Sequence, residues 1–292
     1  MQKQTKEQVD RIILMQKLFL EGYTPTMVAN KVGIHPKSIH YYINKYDFKV
    51  INRARTYHCN DNYFESIDTE KKAYILGFII ADGHISKENR LCFSNSIDDV
   101  SIFNEIKNEI SPDSKIYFKK CNKGVKNRKE QCVLRIKSNV LCNQLQDKYS
   151  IHNNKTYDTK FTFNLDLIPK ELIVHFIRGF FDGDGSISFY KTKGTIFFNF
   201  SFISTSFNFI SQVAQLFENN FKVEKVIREI EGKTINWFTL RFDYDRHRAR
   251  EIKKIYEFLY QDATIFLERK RIKFEKYLEY RANPRRKEDR VV

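Results

Sequence analysis

Over residues 70–280, apolar positions alternate between helical and strand spacing, and the alternation runs through the same order twice. From Ala73 to Ala81 nearly every position is apolar, which reads as a buried helix that stops at Asp82-Gly83. Strands are then predicted at 84–87 and 91–96, split by the turn-like Glu88-Asn89. Asp98 can cap a helix whose apolar positions are Ile102, Phe103, Ile106 and Ile110. Two more strands, 115–120 and 132–137, flank the loop 121–131, and a helix follows over 139–148. The second pass opens at Ile168-Pro169-Lys170-Glu171 with a helix ending at Asp184. Strands at 186–190 and 195–204, a helix at 208–219, strands at 222–231 and 234–244 about Gly232, and helices at 246–260 and 263–280 complete it. Each pass reads αββαββα, so the expected class is α+β with two similar halves. In the strand 195–204, Phe198, Phe200 and Phe202 form one aromatic face suited to a core, while Phe197, Asn199 and Ser201 form a mixed face open to exposure.

The first 50 residues follow another pattern. Val9, Ile12, Ile13, Gln16 and Leu20 are spaced for an amphipathic helix over 7–21, ended by Gly22. Thr24-Pro25 suits the cap and first turn of a short helix through Val28, Ala29 and Val32. Gly33 turns the chain, and Pro36 starts a third helix over about 37–45. This order resembles a helix-turn-helix, which would turn Lys37, Ser38, His40 and Tyr41 toward a DNA groove. A helical bundle that only packs, or that binds protein, fits the same spacing. The expected organisation is a helix-turn-helix-like domain over 1–50, a linker over 51–70 that holds Asn52, Arg53, Arg55, Asn60, Asp61 and Asn62, halves over 71–165 and 166–280, and a polar tail over 281–292. Asp68 or Thr69 caps the first helix of the first half.

Both halves begin with one short pattern: Ile75-Leu76-Gly77-Phe78-Ile79-Ile80-Ala81-Asp82-Gly83 and, 102 residues later, Ile177-Arg178-Gly179-Phe180-Phe181-Asp182-Gly183-Asp184-Gly185. Small residues four apart, Gly77 with Ala81 and Gly179 with Gly183, share a helix face, so the two helices can approach backbone to backbone. The glycine after each terminal acid suits a left-handed residue past a helix end. A carboxylate there faces the negative end of the helix dipole, at a cost of about 0.3–1 kcal/mol. Side-by-side parallel packing would make Asp82 and Asp184 converge as well, a strain that only a cation would relieve.

Both stretches resemble the signature helix of the LAGLIDADG homing endonucleases. The resemblance covers about residues 70–280 and implies two αββαββα halves packed through the paired helices. It assigns Asp82 and Asp184 as the metal-binding, catalytic acids, with Mg²⁺ (or Mn²⁺) as cofactor, and Ala81 and Gly183 as minor carbonyl ligands. The family's earlier acid is kept as Asp182 but is Ile80 in the first copy. The family's basic residue before the last helix of each half falls on Lys137 in the first half; the matching register in the second gives Asp243, with Arg241 or Arg246 as substitutes. Lys137 also reads as an ordinary exposed lysine, and His84, directly after the first Asp-Gly, as a strand residue more readily than a general base.

Lys and Arg outnumber Asp and Glu by 51 to 36, a formal charge of +15, which favours a polyanionic partner. Lys119, Lys120, Lys123, Lys126, Arg128 and Lys129, with no acid between them, read either as a solvated loop or as a phosphate-contacting one. The 26 Phe and 16 Tyr supply a core. There is no run of about 18 apolar residues, and the first ten residues are too polar for a signal peptide, so the expectation is a soluble, intracellular protein with no membrane partner. Cys59, Cys92, Cys121, Cys132 and Cys142 show no zinc spacing and read as reduced thiols. The function expected is a monomeric, site-specific endonuclease cutting both strands of a long double-stranded DNA target. The alternative is a non-cleaving binder of the same fold, either an intron maturase that takes structured intron RNA or a transcription regulator.

Overall fold

The computed structural model describes residues 5–20, 23, 25–48, 50, 58–120, 130–152, 162–192, 195–217, 222–230, 233–243 and 249–282. Outside them lie Gly22, Thr24, Asn52, Arg53, Arg55, Gly232, Arg246, most of the tail, and Cys121, Lys123, Lys126, Arg128 and Lys129 of the basic loop. The chain divides into two compact units, Met1–His58 and Cys59–Val292.

The first unit holds α1 (Lys6–Leu20), α2 (Pro25–Lys31) and α3 (Ile39–Tyr46), the last preceded by a 3₁₀ turn, Pro36–Ser38. Both prolines sit in first turns, where no intrahelical donor is missed. Gly33 turns the chain at φ +70°, a conformation that favours glycine. Met15, Leu18, Phe19, Val28, Ala29, Val32, Ile39 and Phe48 make this unit's core. The expected stripe on α1 is not its buried face, which is Met15, Leu18 and Phe19. Ile13 is 61% exposed, and Val9 and Leu20 are exposed too, while Ile12 packs partly against Met15 and Phe19. Two faces of α1 carry apolar residues at helical spacing, and periodicity alone does not say which one meets α2 and α3.

In the second unit the first half runs α4 (Glu70–Ala81), β1 (His84–Ile85), β2 (Arg90–Ser96), α5 (Val100–Ile110), β3 (Ile116–Lys119), β4 (Gln131–Lys137) and α6 (Asn139–Tyr149). The second half runs α7 (Ile173–Asp184), β5 (Ser186–Thr192), β6 (Thr195–Ser204), α8 (Phe207–Gln215), β7 (Lys222–Ile230), β8 (Lys233–Asp243) and α9 (Ala249–Tyr260), then adds α10 (Glu268–Ala282). Each half has one antiparallel four-stranded sheet, in the orders β1-β2-β4-β3 and β5-β6-β8-β7. The α+β class and the repeated αββαββα order are therefore as expected. The registers also agree: Arg90 faces Lys137 in the first sheet, and Asn199 faces Asp243 in the second.

Several boundaries move for physical reasons. Residues 59–67 do not merely connect the units: Tyr63, Phe64 and Ile67 are buried in the main core, and the Asn60 amide donates to the Ile110 carbonyl. Ser96, not Asp98, caps the turn before α5, and Thr69 caps α4 by accepting from the Lys72 amide at 3.2 Å. The last helix begins at Glu268 rather than 263, because the amides of Thr264 and Leu267 and the carbonyl of Ile265 are taken by side chains of α4 and α7.

The centre of this unit is the α4–α7 pair. Eight consecutive residues of α4, Ala73 to Ile80, are buried, as a helix apolar all round must be. A methyl group built on Gly77 would overlap the Phe176 carbonyl oxygen, and one on Gly179 the Tyr74 carbonyl oxygen. At Gly183 it would meet the Ala81 methyl. The helices thus touch through their backbones, with the small residues on the shared face. Phe180 and Phe181 of α7 pack on the aromatic row of β6, with Phe181 and Phe200 centroids 4.7 Å apart, and Phe198, Phe200 and Phe202 are all buried.

The glycines after the acids serve differently from the left-handed caps expected. Gly185 is extended (φ −73°, ψ 151°), and among the described residues Gly33 has the positive glycine φ. They are glycine for want of space: a Cβ on Gly185 would overlap Phe181, and one on Gly83 would lie 2.9 Å from Ile79 Cα.

Because neither helix can retreat without opening the core, Gly179→Ala should lower unfolding free energy by roughly 3 kcal/mol, the upper part of the usual overpacking range, as measured by urea titration.

Candidate functional site

The backbone contact continues to the C-terminal ends of α4 and α7. Asp82 is the residue that caps α4, and Asp184 is the last residue of α7. The Cβ position of Gly183 lies 3.5 Å from the Asp82 carboxyl carbon, so the two motif ends meet. Both acids are half-buried, reachable from solvent. Asn95, from β2, donates its side-chain amide to Asp82 Oδ2 at 2.6 Å and so fixes that carboxylate.

Asp182, two residues before Asp184, behaves differently. It is fully buried and accepts from the Tyr74 hydroxyl at 2.8 Å, the Tyr260 hydroxyl at 2.9 Å and the Leu267 amide at 2.7 Å. Burial pushes its carboxyl above the usual range, against the pull of Lys270 and of these three donors. Burial and the neighbouring carboxylate raise both tyrosine hydroxyls well above their ordinary values, which keeps them protonated as donors. Asp182 therefore binds α4, α9 and the segment before α10 to α7. In the first copy Ile80 occupies the equivalent position and is buried in the apolar core.

A buried ammonium lies against the end of α7. Lys270 of α10 is 3% exposed, and its ammonium donates to the carbonyls of Phe181 at 2.5 Å, Gly185 at 2.5 Å and Gly183 at 3.3 Å. Burial brings its pKa down to about 8; the charges of Asp182, Asp82 and Asp184 act in the opposite sense, and Arg269 adds to the lowering. The sequence did carry a signal for it, since Lys270, Phe274 and Tyr277 share one helical face and all are buried.

A second buried cation secures the other end of the pair. Arg178 donates to the Ile265 and Leu259 carbonyls, both at 2.9 Å, and to Glu70 at the start of α4. Glu70 also accepts from the Thr264 amide and hydroxyl at 2.8 and 2.9 Å. Burial opposes ionisation of Glu70, but Thr264 and Arg178 hold its carboxyl below the usual range.

The remaining expected residues are dispersed. The Lys137 ammonium donates to the Glu88 carbonyl and to Asn139 Oδ1 at 3.2 Å. Its register partner in the second half is Asp243, as read from the sequence. His84 is exposed in β1, paired with Cys92. Lys119 and Lys120 are exposed at and just past the end of β3, while Lys123, Lys126, Arg128 and Lys129 lie outside the described residues. In the first unit Lys37, Ser38, His40 and Tyr41 are all exposed, with Lys45 over the Tyr41 ring at 5.2 Å. No helix among the described residues is long and apolar enough to cross a membrane.

Residues 171–259 match the family model described as a LAGLIDADG-like domain. A model described as a putative ATPase subunit of terminase (gpP-like) matches residues 16–52. An uncharacterized protein of Methanocaldococcus jannaschii is 25% identical over 154 residues, 51% of this chain. The match takes in 54% of that protein, so the chain spans about half the length of the curated relative it matches. Among solved structures, the LAGLIDADG meganuclease I-AabMI bound to uncleaved DNA is similar at 12% identity, over 72% of this chain and 91% of that one, with a TM-score of 0.45. The LAGLIDADG homing endonuclease I-GzeII in complex with its DNA target is similar at 15% identity, over 73% and 91%, with a TM-score of 0.44. The N-terminal LAGLIDADG domain of DUF199/WhiA is similar at 14% identity, over 73% and 95%, with a TM-score of 0.36.

Replacing Asp182 by alanine would leave two hydroxyls and an amide in the core without their acceptor. Asp182→Ala should therefore destabilise by about 3–5 kcal/mol, a loss that thermal or urea unfolding would register.

Proposed function

We propose that this chain is a site-specific DNA endonuclease that hydrolyses both strands of a double-stranded target, acting as a single polypeptide with one acid for each strand. The observation that carries this reading is the meeting of the two motif ends, with half-buried Asp82 and Asp184 on helices that touch through their backbones. Mg²⁺ is ordinarily held by one or two carboxylates together with substrate phosphates rather than in an all-protein cage. Two acids at adjoining helix ends suit that mode. Asp82 and Asp184 would hold Mg²⁺ or Mn²⁺, with the Ala81 carbonyl as a minor ligand; the Gly183 carbonyl already accepts from the Lys270 ammonium. Bound there, the metal makes a water more acidic and stabilises the leaving oxygen. The protein's part is to hold the acids: Asn95 orients Asp82, and the helix contact keeps the two ends together. The exposed Lys37, Ser38, His40 and Tyr41 of the first unit, and Lys119 and Lys120 of the second, would each contact DNA, as would Lys123, Lys126, Arg128 and Lys129 of the same basic stretch of sequence. Lys137 would act near the first cut phosphate after leaving its bond to Glu88.

A second reading, a non-cleaving binder such as a maturase or regulator, is favoured by one observation: the lysine position of the first half is an aspartate, Asp243, in the second. The two readings separate when the protein is incubated with a randomised double-stranded DNA library, with Mg²⁺ or with chelator, and cut ends are sequenced. Metal-dependent cuts at one long shared site support the endonuclease; enrichment of bound DNA without cuts supports the binder.

Within the endonuclease reading, Asp82→Asn and Asp184→Asn should each slow cleavage of one strand by at least about 100-fold, the rate equivalent of several kcal/mol of metal stabilisation, while binding persists. Undiminished cutting by either variant would remove the metal assignment. Deleting residues 1–50 should weaken DNA affinity, measured by titration at fixed salt, more than it slows cutting of saturated complex; unchanged affinity would return that unit to a packing role.

A further inference from the structure

The ammonium of Lys270 has three N–H donors, and three carbonyl acceptors surround it, those of Phe181, Gly183 and Gly185. With its donors engaged in the fold, it is not poised to contact a phosphate or a reacting oxygen. Its acceptors bracket Asp184 on both sides. They include the Gly183 carbonyl, in the last turn of α7, where a helix leaves carbonyls without intrahelical partners. The Gly185 amide closes the same turn on the Phe181 carbonyl at 2.8 Å. A buried cation on a helix C-terminus is favoured by the dipole and offsets the nearby acids.

We infer that Lys270 is a positioning residue for Asp184: its ammonium clamps the backbone on either side of that acid and sets the carboxylate in place before a divalent cation arrives. The inference rests on the reading of Asp184 as a metal-holding acid only for its catalytic consequence; the clamp itself is a property of the metal-free protein. It also makes the two halves unlike, since among the described residues α10 has no counterpart in the repeated αββαββα order. At the α4 end the fixing contact comes from the Asn95 side chain, on the carboxylate itself.

The test compares the full chain with Lys270→Met and with Lys273→Met, a control on the same helix whose ammonium reaches the Ile187 carbonyl at 3.2 Å. Amide hydrogen exchange is followed without metal. In Lys270→Met, protection at residues 184–187 should fall by roughly tenfold or more while residues 76–81 of α4 keep theirs, and the control should leave 184–185 unchanged. Unaltered protection at 184–187, or an equal loss along both helices, overturns the clamp whether or not the protein cuts DNA. If Lys270→Met does not fold, Lys270→Gln, which keeps two N–H donors without the charge, carries the same comparison. On a target labelled on each strand, Lys270→Met should slow the strand that Asp184→Asn blocks by roughly tenfold or more over the other, and raised Mg²⁺ should narrow the gap. Equal slowing of both strands would overturn the positioning role and leave a purely structural one. Loss of the clamp in exchange with no cutting by the parent protein would uphold the clamp and instead remove the endonuclease reading.

Discussion

Contact between the backbones of α4 and α7 is the constraint on which the rest of the second unit depends. Gly77 and Gly179 lie where any side chain would run into the carbonyl of the facing helix. Such an approach trades side-chain burial for close packing of peptide groups, and it leaves each helix little freedom to slide or rotate. The C-terminal ends must then meet, with their dipoles and their terminal acids. Parallel dipoles side by side with carboxylates at their negative ends are unfavourable, so the fold has to supply compensation at that point. It does so with Lys270 on the α7 carbonyls and Asn95 on Asp82.

The compensation is built from the second half outward. Arg178 and Asp182 both sit on α7, and both reach the elbow between α9 and α10. Glu70 joins the same elbow from the start of α4. Arg269 of α10 then crosses to the first half, where its guanidinium makes a bidentate pair with buried Asp99 at 2.7 and 3.1 Å. Asp99 stands at the N-terminal position of α5 but gives that helix no side-chain cap; its oxygens go to the arginine instead. The added helix α10 is thus tied to both halves by charged side chains, and the elbow before it stays non-helical because its amides and carbonyls serve as partners for buried charges.

The organisation was legible in the sequence wherever one residue type had one physical use. Small residues four apart on an apolar helix gave the contact face, and the Phe198, Phe200 and Phe202 row gave a core face, because period two admits a single assignment. Legibility failed where two uses compete. The glycines after Asp82 and Asp184 suggested left-handed caps, but the structure needs them for room. Helix α1 has two apolar faces, and only its neighbours decide between them. Lys270 was hidden for a related reason: in Glu268-Arg269-Lys270-Arg271 a lysine reads as a solvated charge, and its register with Phe274 and Tyr277 was the one sign of burial. Asp182 was recognisable as a kept motif acid, but its role came from Tyr74, Tyr260 and Leu267, far away in sequence.

The two halves share a backbone plan but depart from symmetry in their side chains. The packing positions remain matched, Gly77 with Gly179 and Ala81 with Gly183, because each contact involves both helices and a change on one side is resisted by the other. Chemical positions carry no such mutual constraint. Arg90–Lys137 and Asn199–Asp243 occupy the same register in the two sheets, yet one pair is doubly cationic and the other holds an acid. Ile80 and Asp182 occupy the same turn, one in an apolar core and the other at the centre of a polar network. The backbone therefore holds two similar helix ends while the side chains around them diverge, so Asp82 and Asp184 share a backbone setting but not their surroundings.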